Sequence, residues 1–83
     1  MDYRKIKDLR VDLDEIFAYT LQKSNKREKG WHDKIYLYPK SFRGTYLEVY
    51  FDTMKDNDLF KETVFMLDEF FSVKTEAESR ILP

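Results

Sequence analysis

Ile35-Tyr36-Leu37-Tyr38 and Thr45-Tyr46-Leu47-Glu48-Val49-Tyr50-Phe51, on either side of a break at 39–44, decide the fold. Side chains in a strand alternate between faces with period two. Ile35, Leu37, Leu47, Val49 and Phe51 therefore share one face of a predicted hairpin over 31–52, and Tyr36, Tyr38, Tyr46, Glu48 and Tyr50 share the other. The aliphatic face reads as core. The tyrosine face reads either as a half-exposed sheet back or as a recognition surface, since each ring is apolar with a polar tip. Trp31, Asp33, Ile35 and Leu37 are in phase, so the first strand starts as early as Trp31. Pro39, with no backbone donor, ends it. The segment 39–44, Pro-Lys-Ser-Phe-Arg-Gly, is longer than a tight two-residue turn.

Working outward, the residues before the hairpin carry a helical spacing. Ile6, Leu9, Leu13, Ile16, Phe17, Thr20 and Leu21 form one stripe over 3–23, with Lys7, Asp8, Asp12, Asp14 and Glu15 opposite or flanking it. Gly30 is a plausible end point for that helix. After the hairpin, Asp56, Asn57 and Asp58 are three candidate N-caps. A second helix is expected over 58–71, with Leu59, Phe60, Thr63, Val64, Met66, Leu67, Phe70 and Phe71 on a broad apolar arc. Phe65 falls on its polar side. The tail 72–83 reads as a short third helix or a disordered end, Thr75-Glu76-Ala77-Glu78 having capping-box spacing. The expected fold is a small single α+β domain of order α-β-β-α. An antiparallel hairpin packs against two amphipathic helices, and pairing of two copies edge to edge would complete a larger sheet.

Composition narrows the functions. Eighty-three residues make one domain, and the absence of cysteine excludes disulfides, thiolate metal sites and cysteine nucleophiles. No segment reads as a signal peptide or a membrane span, so a cytoplasmic protein without membrane attachment is expected. Net charge is −1, which gives no general attraction to nucleic acid. Lys, Phe, Tyr, Ile and Asn total 29 residues against 11 for Gly, Ala, Arg and Pro. That bias matches A/T-rich coding, as in low-GC bacteria and their phages and plasmids.

Chemistry-bearing motifs are scarce. His32 is the single histidine, and two glycines cannot build a phosphate loop or a dinucleotide fingerprint. No cofactor or metal is expected, and no catalytic residue is assigned. Protein binding fits more of the pattern. The proposed contact residues are Tyr36, Tyr38, Tyr46, Glu48 and Tyr50 on the hairpin, with Glu62, Phe65 and Glu69 on the last helix. Both hairpin edges are expected to be free for strand addition or for a homodimer. The leading expectation is a non-catalytic phage- or mobile-element-type inhibitor that binds and sterically blocks a cellular protein. The alternative is a nucleic-acid-binding regulator using the basic and aromatic segment 23–43, with Lys23, Lys26, Arg27, Lys29, Trp31, Lys40 and Arg43 as contacts. A His32-dependent ribonuclease is a distant third.

Overall fold

The computed structural model describes residues 1–41 and 44–81, the side chains of 73–81 excepted. Its element order is β1 (Tyr3–Ile6), β2 (Leu9–Asp12), a 3₁₀ turn (Leu13–Glu15), β3 (Ile16–Gln22), β4 (His32–Pro39), β5 (Leu47–Asp52) and α1 (Asn57–Ile81). The chain is thus a small single α+β domain whose five described strands are all antiparallel, with one long helix.

The helix expected over 3–23 does not form. Ile6 pairs with Leu9 across the two-residue turn Lys7-Asp8, and Lys7 adopts φ 57°, the sign that primed hairpin turns require. Asp12 then stops the strand. Its Oδ1 accepts the backbone N–H groups of Asp14 (3.1 Å) and Asp2 (3.0 Å), which caps the 3₁₀ turn and ties the chain start to it. From Ile16 the run Ile-Phe-Ala-Tyr-Thr is rich in β-branched and aromatic side chains, which suit a strand. It pairs with β4, with a bulge between Ile16 and Ala18 that leaves Phe17 as the extra residue.

The predicted hairpin is present as β4 and β5, in the expected register of faces. Asp33, Ile35, Leu37, Val49 and Phe51 are buried on one side. Pairings Tyr36↔Glu48 and Lys34↔Tyr50 lie on the other. The hairpin is not free at both edges, because β3 occupies the β4 side and the three strands run in the order β3-β4-β5. At the outer side of β5, Lys7 on the β1–β2 turn donates from Nζ to the Tyr50 carbonyl oxygen at 2.5 Å. The same Nζ sits 3.5 Å from the Asp56 carboxylate. The outer edge of β3 carries no strand among the described residues.

The core is one cluster. Ile6, Val11 and Leu13 from the first hairpin meet Ile16, Ile35, Leu37, Val49 and Phe51 of the sheet and Phe60 and Leu67 of α1. Phe51 and Phe60 pack edge to face at 5.4 Å, and Tyr19 meets Phe71 at 5.3 Å. Tyr19 also donates to Asp68 of the helix. The helix therefore covers the aliphatic face of the sheet and leaves the tyrosine face uncovered. It continues to Ile81 rather than ending near Phe71, so the backbone of the expected tail belongs to the same helix, apart from residues 82–83, which lie outside the described ones. At its start the backbone carbonyl of Asp56 accepts from Phe60 N–H at 2.8 Å, as an N-cap residue does. The Asp56 side chain instead accepts from Asp52 N–H at 3.1 Å.

Candidate functional site: a tyrosine face and a basic aromatic cleft

Three strands supply the uncovered face: Ala18, Thr20 and Gln22 from β3, His32, Lys34, Tyr36 and Tyr38 from β4, and Glu48, Tyr50 and Asp52 from β5. Tyr46, just before β5, joins them. Its ring lies 5.3 Å from Tyr36, edge to face, and 6.1 Å from Tyr38, and Phe17 lies 6.2 Å from Tyr38. Tyr36 and Tyr38 are half-buried, whereas Tyr46 and Tyr50 are exposed at 51% and 42%.

Neighbouring side chains on the face, across the strands for Tyr36 and Tyr38 and along β5 for Tyr50, fix the hydroxyls. Tyr36 donates to Gln22 Oε1 at 2.7 Å, Tyr38 shares a hydrogen bond with Thr20 at 3.0 Å, and Tyr50 donates to Glu48 at 2.7 Å. The hydrogen bond to Glu48 and the nearby carboxylate charge hold the Tyr50 hydroxyl above the usual phenol range. The rings are thereby set in place before any partner arrives. That reduces the ordering cost of binding.

Glu62, Phe65 and Glu69 are exposed on α1, Phe65 at 64%. The helix lies on the opposite side of the sheet from the tyrosines, so these three do not extend the tyrosine face. The two expected contact surfaces are separate.

The basic segment divides as well. Lys40 follows the far end of β4, where its backbone N–H donates to the Glu15 carbonyl at 2.7 Å. An eight-residue strand, about 25 Å of chain, separates it from the 23–31 loop. Arg43 and Phe42 lie outside the described residues. Arg27 is a structural residue: its Nη1 donates to both carboxylate oxygens of Asp33, at 2.8 and 2.9 Å, and Asp33 is wholly buried. Its Nη2 reaches Asn57 Oδ1 at 2.8 Å and the Thr53 carbonyl at 3.3 Å. Ser24 N–H supplies a third hydrogen bond to Asp33, at 2.9 Å. The loop is thus tied to the start of the helix. Thr53 reinforces this by donating from Oγ1 to the Glu28 carbonyl at 2.9 Å and from N–H to the Trp31 carbonyl at 3.0 Å.

What remains of the segment forms a cleft of about 530 Å³ between this loop and the end of the tyrosine face. Lys23, Lys26 and Trp31 line it as the sequence suggests, and Lys29 is exposed but outside it. Lys34, His32 and Tyr50 line it as well. Sequence reasoning left Lys34 out, although period two places it beside Tyr36. The Lys26 ammonium stands 5.0 Å from the Trp31 ring centre, and the Lys34 ammonium 4.9 Å from that of Tyr50. His32 lies 5.9 Å from Tyr50.

Among the described residues no cluster of three His, Asp or Glu side chains is placed to hold a metal ion, and no helix is long and apolar enough to cross a membrane. No protein-family model matches this chain, and neither does any curated protein or solved structure.

Proposed function

We propose that this chain is a non-catalytic interaction protein that binds a cellular protein through the tyrosine face and blocks it by steric occlusion. The observation that carries the reading is the ordered cluster Phe17, Tyr36, Tyr38 and Tyr46 on a sheet face that the helix leaves uncovered. Large rigid rings give contact area at low entropic cost, and tyrosine is enriched where interfaces form. The rings pack against each other, edge to face for Tyr36 and Tyr46 and tilted for the others, instead of splaying apart to receive bases, and Glu48 places a carboxylate among them. Both features favour a protein over a phosphate backbone on this face. The A/T-rich coding bias supports a phage or mobile-element origin, where small blocking proteins are at home.

The test is capture of a partner by the tagged chain from nuclease-treated lysate, followed by reconstitution with the purified partner. Tyr36→Ser with Tyr46→Ser should abolish the reconstituted complex while the far-UV circular dichroism stays that of the parent. Phe65→Ser should leave the complex intact. An undiminished complex with the tyrosine variant would sink the proposal.

A further inference from the structure

We infer that the cleft at the end of the sheet is a separate binding site for a nucleoside phosphate, either a free nucleotide or an unpaired nucleotide of a single strand. The argument rests on what the cleft assembles. Lys23, Lys26 and Lys34 bring three ammonium groups, and Trp31, His32 and Tyr50 bring three aromatic rings. No carboxylate-bearing residue is among the lining residues. In a chain with net charge −1, that local excess of cations is a specific placement and not a reflection of overall composition.

Two of the ammonium groups stand over rings of the same cleft. A ligand that carries both negative charge and a flat π-system matches this alternation, its phosphate meeting the lysines and its base lying against the rings. The volume, about 530 Å³, is within the roughly 300–1,000 Å³ that small-molecule pockets occupy. The walls are held independently of any ligand. The loop is anchored through Arg27 to Asp33 and Asn57 and through Thr53 to the Glu28 carbonyl, and the floor is β4 and β5. The acidic groups on the same face, Glu48 and Asp52, are engaged with the Tyr50 hydroxyl and with the Met54 and Lys55 backbone N–H groups.

Trp31 is the single tryptophan, so its fluorescence reports on this cleft alone. The full chain is titrated at low salt with adenosine triphosphate, with a deoxyadenosine decamer and with inorganic tripolyphosphate. Saturable quenching by the nucleotide or the decamer, with much weaker binding of tripolyphosphate, is the expected result. Saturation by adenosine triphosphate at an affinity like the decamer's assigns a free-nucleotide site. Binding at least tenfold tighter to the decamer assigns a single strand, with a log–log salt slope of about −2 for three phosphate contacts. Lys26→Ala with Lys34→Ala should weaken binding at least tenfold and keep the parent circular dichroism. Tripolyphosphate binding as tightly as the nucleotide, unchanged affinity in the lysine variant, or no change in emission with any ligand would each overturn the inference.

Discussion

Removing Arg27 should come close to unfolding this domain, although the residue lies in a lysine-rich surface loop. Asp33 is fully buried, and its carboxylate receives three hydrogen bonds, two of them from Arg27 Nη1. Arg27→Ala would leave that charge with the Ser24 N–H alone. Breaking a buried pair by deleting one partner costs about 3–5 kcal/mol. The Arg27 side chain is 39% exposed, so water can partly replace it, and about 3 kcal/mol is the figure expected here. A core of this size holds roughly 3–5 kcal/mol in all. The assay is urea unfolding followed by Trp31 emission and far-UV circular dichroism. Arg27→Lys, which keeps a charge but loses the Nη2 bonds to Asn57 and Thr53, should fall between parent and alanine variant. The paired change Arg27→Met with Asp33→Leu should cost less than Arg27→Ala, because no buried charge is left uncompensated. The reasoning fails if Arg27→Ala shifts stability by no more than Lys29→Ala, about 0.5 kcal/mol or less as is usual for surface changes.

Lys7 sits at φ 57°, so Lys7→Val should be less stable than Lys7→Gly by about 1–2 kcal/mol in the same unfolding assay, both variants having lost the ammonium contacts. Asp52 lies below the usual carboxylate range because the Lys55 and Met54 backbone N–H groups donate to it. A depressed native value means that the unfolded chain binds the proton first. The stability it brings is therefore complete above the ordinary value of 3.8 and is lost as pH falls through the lower native one. Urea midpoints should accordingly show the deficit of Asp52→Asn against the parent holding steady above the ordinary carboxylate value of 3.8 and shrinking as pH falls below it. On the helix, Leu67→Ala should cost about 2–5 kcal/mol and Phe65→Ser less than about 0.5, since Leu67 is in the core and Phe65 faces outward.

The sequence located the hairpin faces and the core of the last helix because there period and propensity agree. Val49 and Phe51 alternate with Glu48 and Tyr50, and Phe60 and Leu67 share one helical stripe. The first 22 residues misled for a physical reason. Ile6 and Leu9 are three apart in a helix, but they are equally well placed to face each other across a two-residue turn. That turn is Lys7-Asp8, without the glycine or asparagine that usually marks one. Further along, the composition of Ile16–Gln22 carried the strand signal against an apparent helical period. Asp33 was in phase with Ile35 and Leu37, which was the readable sign of its burial. Its partner six residues earlier had no such sign, because only the tertiary path of the loop returns Arg27 to it.

The Lys7 contact at β5 bears on how this sheet can grow. A side chain already occupies the Tyr50 carbonyl on that margin, while no strand among the described residues pairs with the margin of β3. A strand added at β5 would have to displace Lys7 from that carbonyl, whereas one added at β3 would not. A sheet with two open margins is a repeating unit, able to stack into a fibre, whereas one with a single open margin is a terminator. Two copies joined through their β3 margins would turn a β5 margin outward at each end, so that pairing closes at a dimer.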